Sequence, residues 1–117
     1  MMKANIQINV RTPSPKTAIM DIHGEINSYA EDALMDAYTQ SSTTGANAII
    51  LNFEGLEYMN SSGIGLLVTL LIRVQRQKQH LSAFGLSQHY RQIFELTRLN
   101  EAILIYENEN AALQAAG

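Results

Sequence analysis

The sequence predicts an α/β fold: one domain over residues 1–117, built on a mixed, mostly parallel sheet of about five strands with three to four helices. Two observations carry that expectation. Strand-like runs alternate with amphipathic helical stretches in the order ββαβαβαβ(α), which implies right-handed crossovers with helices packed on the sheet. "NAIILNF", residues 47–53, is nearly continuous in apolar residues, as strands buried on both faces are. With 117 residues, 46% of them hydrophobic, the chain has material for one core and little room for a second domain.

The elements follow in order. "NIQINV" alternates Ile6, Ile8 and Val10 with polar residues, the period of a half-buried strand. The two prolines of "TPSPK" mark a turn, and "TAIMDIHG" supplies a second strand, so the pair forms a hairpin. From Ser28 the period becomes helical through Ala30, Ala33, Leu34, Ala37 and Tyr38, with Ser28 as N-cap and Glu31 and Asp32 near the helix start. "SSTTG" ends that helix. After "NAIILNF", the stretch "EGLEYMN" is expected to be a loop. A second helix then aligns Ile64, Leu67, Val68, Leu71 and Gln75, a stripe thickened by Leu66, Leu70 and Ile72. "LSAFGL" makes the fourth strand. A helix opened by Ser87 turns Tyr90, Ile93, Phe94 and Thr97 inward, "AILIY" is the last strand, and "ENENAALQAA" a short final helix.

Composition excludes several functions. Eight Lys and Arg against eleven Asp and Glu give a net charge of −3, with no basic stripe of the kind nucleic acid requires. Residues 1–62 carry three cations and seven anions, and residues 63–117 five and four, so the acidic half comes first. No cysteine is present for a disulfide or a thiolate metal site. The run Ile64–Ile72 is too short to span a bilayer, and "MMKANIQINV" has no signal-peptide core, so a cytoplasmic protein without membrane insertion is expected.

Chemistry concentrates in "YMNSSGIGLL", residues 58–67. A nucleophile elbow needs Gly-x-Ser-x-Gly, but Met59 stands where the first glycine would precede Ser61. The only bases on offer are His23, His80 and His89, and the spacing of the last two matches no common metal pair. Gly63 and Gly65 begin a Gly-x-Gly, but Val68 occupies the third glycine position and no Walker lysine follows. Small residues here serve a tight strand-to-helix corner, with Asn60 or a serine as cap. What remains is a pair of hydroxyls, Ser61 and Ser62, at a helix mouth whose first N–H groups are unpaired. A phosphate there would add about −1.5 to −2 charge at the helix end that best tolerates anions.

"LNFEGLEYMNSSGIGLL" resembles the switch segment of STAS domains, and "DIHGEINSYAEDAL" the family's turn into its first helix. The element order agrees across essentially the whole chain. The resemblance implies an anti-sigma factor antagonist that is phosphorylated on Ser61, with Ser62 the alternative. Gly24, Glu25, Asn27 and Ser28 would join Asn60, Ser61, Ser62, Gly63 and Ile64 in the partner-binding surface. Its partner would be an anti-sigma factor that is also a serine kinase, with a phosphatase as a further partner. ATP and magnesium would belong to the kinase, and this chain would bind no cofactor or metal and catalyse nothing. Asn27 and Asn60 depart from the family's aspartates, which keeps size and hydrogen bonding and deletes two negative charges. Two other STAS roles fit the resemblance: a subunit of a lipid-transporting ABC system, or part of a stress-signalling assembly.

Overall fold

A computed structural model describes residues 4–117; the first three residues of the expected 1–117 domain lie outside the described part. The elements are β1 (Ile6–Ser14), β2 (Thr17–Ile26), a 3-10 turn (Ser28–Ala30), α1 (Glu31–Thr43), β3 (Ala48–Met59), α2 (Ser61–Arg76), β4 (His80–Phe84), α3 (Gln88–Leu96), a second 3-10 turn (Leu99–Glu101), β5 (Leu104–Tyr106) and α4 (Glu109–Ala116). The five strands lie in chain order. β1 runs antiparallel to β2, and β2 to β5 are parallel. Adding parallel strands in one direction through right-handed crossovers places every crossover helix on the same face. The core shows this. Leu34, Met35 and Tyr38 of α1, Leu67, Leu70, Leu71 and Val74 of α2, and Tyr90 and Phe94 of α3 pack on one side of the sheet. Among the described residues the opposite face has only α4, whose Ala112, Leu113 and Ala116 cover Ile19, Ile50, Phe84 and Tyr106.

Five local expectations need correction. Pro13 is inside β1 and only Pro15 is in the turn, with Ser14 opposite Thr17. β1 is an edge strand, so a proline that cannot donate does no harm there. "EGLEYMN" is not a loop: β3 continues to Met59 beside β2, with register shifts near Gly24 and Gly55 that absorb its irregular pattern. The inward line of α2 is Gly63-Leu67-Leu70-Leu71-Val74, which leaves Val68, Ile72 and Gln75 exposed. Thr97 is likewise exposed, its hydroxyl donating to the Ile93 carbonyl at 2.8 Å. Finally, Ser28 caps nothing. Asn27 Oδ1 accepts from the Tyr29 amide at 2.9 Å, capping the 3-10 turn that leads into α1.

One ion cluster ties the open face together. Arg11 on β1 donates to both Asp21 oxygens, at 2.6 and 2.8 Å, and to Glu109 on α4 at 2.7 and 3.2 Å. Asp21 also accepts from Asn52 Nδ2 at 2.7 Å. Arg11 chiefly holds the Asp21 carboxyl below its ordinary range, and Asn52 adds to this against a desolvation cost. Glu109 is depressed by the same guanidinium.

Candidate functional site

The sequence-predicted residues converge at the C-terminal ends of β2 and β3, the end where open parallel sheets present their functional groups. Glu25 pairs with Tyr58 and Ile26 with Met59. The next residue on each strand is an asparagine, and the two do the same job one strand apart. Asn60 Oδ1 accepts from the Gly63 amide at 2.9 Å and caps α2, as Asn27 caps its turn. The two turns also touch through backbone, since the Asn60 amide donates to the Ile26 carbonyl at 3.3 Å. The asparagine oxygens are therefore committed to helix starts.

Two glycines explain how these turns approach so closely. A β-carbon on Gly63 would overlap the Ile26 carbonyl, and one on Gly24 (φ 105°) would overlap the Asn5 carbonyl. Both residues are buried, so they shape the surface from beneath. Gly65 differs: nothing lies within 4 Å of a β-carbon there. Glu25 is held in place by β1, its amide donating to the Asn5 carbonyl at 2.7 Å and its carboxylate accepting from Asn5 Nδ2 at 3.1 Å.

Ser61 and Ser62 are the first two residues of α2, and both are exposed. Neither hydroxyl makes a hydrogen bond among the described residues. The Gly63 amide has its Asn60 side-chain partner and the Ile64 amide has the Asn60 carbonyl at 3.0 Å. That leaves the Ser61 and Ser62 amides as the open donors of the first turn. No acidic side chain lies in that turn, so the helix start itself adds no like charge beside an anion. Ser28 is exposed, and Ile64 is half-buried at the edge of the core. Tyr29 (48% exposed) and Tyr58 (52%) flank the two turns, and Val68 and Ile72 continue an apolar stripe along α2 from Ser61.

Tyr90 was not among the sequence-derived site residues, and it belongs beside them. Its hydroxyl accepts from the Met59 amide at 2.8 Å, fixing the strand end two residues before Ser61. The signal was present: an inward tyrosine carries a polar hydroxyl oxygen that needs a partner. Its target could not be read from a helix thirty residues downstream. His23, His80 and His89 lie in β2, at the start of β4 and in the first turn of α3, and no metal-holding cluster exists among the described residues.

A STAS domain family model matches residues 6–112. The anti-sigma-B factor antagonist of Staphylococcus aureus (strain NCTC 8325 / PS 47) is 27% identical over 110 residues, covering 93% of this chain and all of the relative. An anti-sigma factor antagonist from Mycobacterium paratuberculosis superposes with a TM-score of 0.81 at 19% identity, covering 98% of both chains. The anti-sigma factor antagonist SpoIIAA in its unphosphorylated form gives 0.72 at 20% identity over 93% of this chain and 96% of its own. SpoIIAA in its phosphorylated form gives 0.70 at 21% identity, over 93% of this chain and 99% of its own. With a family model spanning nearly its whole length and this fold beneath it, the chain belongs to the STAS domain family.

Proposed function

We propose that this chain is an anti-sigma factor antagonist working as a phosphorylation-switched binding module. Unphosphorylated, it binds an anti-sigma factor that is also a serine kinase; phosphorylated on Ser61, it releases that partner, and a phosphatase resets it. The observation that carries this reading is the placement of Ser61: exposed, with an unengaged hydroxyl, at the start of a capped helix with two open amide donors beside it. A phosphate added there meets a favourable helix dipole, so the fold tolerates it. Its effect falls on whatever docks between Tyr29 and Tyr58. Relatives named as antagonists support the same reading. The chain acts without a cofactor or catalysis of its own, and ATP and magnesium belong to the kinase.

Incubation with its partner anti-sigma factor kinase, ATP and magnesium should add one phosphate, read by mass. Ser61→Ala should abolish it with an unchanged folding midpoint, and Ser62→Ala should retain it. Label that survives Ser61→Ala and disappears in Ser62→Ala moves the switch by one residue. Stoichiometric co-purification with an ABC ATPase, or within a megadalton particle, in place of a kinase would transfer the chain to the transporter or signalling-assembly role.

A further inference from the structure

The far end of α2 carries a second feature, independent of the reading of Ser61. Residues 58–94 contain no Asp or Glu, yet Arg73, Arg76 and Lys78 fall within six residues of one another there, on a chain of net charge −3. Arg73 and Arg76 line a groove of about 520 Å³ between the C-terminal ends of α1 and α2, opposite Thr39, Ser42 and Thr43. Both arginines are exposed, and among the described residues only Arg11 forms ion pairs. Beside the groove, Gln79 is immobilised. It accepts from the Tyr38 hydroxyl at 2.7 Å and donates to Ser42 Oγ at 3.2 Å and to the Ala46 carbonyl at 2.9 Å. This rigid network ties α1 to the end of α2, so the groove walls are pre-formed and little ordering cost attends a ligand.

We propose that this groove is a docking site for an acidic segment of a protein partner, with Asp or Glu carboxylates seated on Arg73 and Arg76. Cations in the last turn of α2 also complement its dipole, which accounts for their position along the helix. That effect calls for neither a concave wall of hydroxyls nor a 37-residue stretch free of acids, from 58 to 94. Two planar guanidinium forks suit carboxylates bidentately. Arg73 and Arg76 stand one turn apart on α2 and so offer two seats, which suits a segment carrying several carboxylates better than a single small anion. Three cations are too few for a nucleic-acid track, and a concave polar groove does not match a planar membrane.

The test uses the isotope-labelled full chain titrated with a synthetic hexaglutamate peptide. NMR should show saturable shifts of the Arg73 and Arg76 Nε–H signals and the Thr39, Ser42 and Thr43 amides. Affinity should fall roughly tenfold in Arg73→Gln/Arg76→Gln and to an intermediate degree in the double lysine variant, which keeps charge and loses the fork. It should also weaken as salt rises from about 0.05 to about 0.3 M. Ser61→Glu should leave it unchanged, separating this site from the switch. Shifts spread evenly over all surface cations, or persisting in the double glutamine variant, would overturn the proposal. So would shifts at these residues with inorganic phosphate or phosphatidylglycerol vesicles and none with the peptide. Both arginines are exposed, so the variants should keep the wild-type circular dichroism and melting midpoint.

Discussion

Gly63 packs so tightly on the carbonyl of Ile26 that no β-carbon fits between them, although the two residues lie 37 positions apart on neighbouring turns. That contact seats α2 against the end of β2 and brings the two capping asparagines side by side. The paired glycines of α2 therefore have opposite physical roles.

Gly63→Ala must push two backbones apart, and it should cost about 1–3 kcal/mol, as overpacking does. Gly65→Ala meets open space inside an exposed stretch of helix and should stabilise by about 0.5–1 kcal/mol. Urea unfolding of the two variants checks both signs. Equal destabilisation would mean that Gly65 has packing the structure does not show.

Asn60→Ala should cost about 0.5–2 kcal/mol, because it strands the Gly63 amide at a helix start. Asn60→Asp keeps the acceptor and adds a charge that favours the helix N-terminus, and should stabilise by about 0.3–1 kcal/mol at neutral pH. In the second variant the new carboxylate's pKa would be depressed on folding, so its gain should fade as the pH falls below about 4. A pH series of melting midpoints reads this directly.

Tyr90→Phe removes the acceptor for the buried Met59 amide and keeps the ring packing. We expect a loss of about 1–3 kcal/mol. Amide exchange at Met59 should accelerate more than exchange in α1, which the hydroxyl does not touch. A uniform change across the chain would place the effect in global stability alone.

The Arg11 cluster gives a prediction in acid. Folding lowers the pKa of both Asp21 and Glu109, so their contribution is present above the ordinary carboxylate range and is lost as pH falls through the lower folded values. Glu109 is 39% exposed in its side chain, which screens its share. Arg11→Met should cost about 1 kcal/mol at neutral pH, and progressively less as the pH falls below the ordinary carboxylate range. Exchange protection of α4 should fall in the variant, since Glu109 is that helix's charged tether.

Much of this protein follows from its sequence alone, because the signals are local. Ile6, Ile8 and Val10 alternate, Leu67 and Leu71 recur on one helical face, and Ser87 opens α3 as a cap, with its oxygen accepting from the Tyr90 amide at 3.5 Å. The switch motif was visible for the same reason, since Asn60, Ser61, Ser62 and Gly63 are consecutive. Wherever partners come from distant segments, only the tertiary structure decided. The continuation of β3 through Glu54–Met59 depends on β2 offering its edge, which no local pattern encodes. Val68 and Ile72 are as apolar as Leu67, and only the direction in which α2 lies on the sheet leaves them exposed. Tyr90 reaches Met59, and Arg11 reaches Glu109 across 98 positions, because strand order brings those elements together. Residue types set which groups needed partners; the chain's path through the sheet chose them.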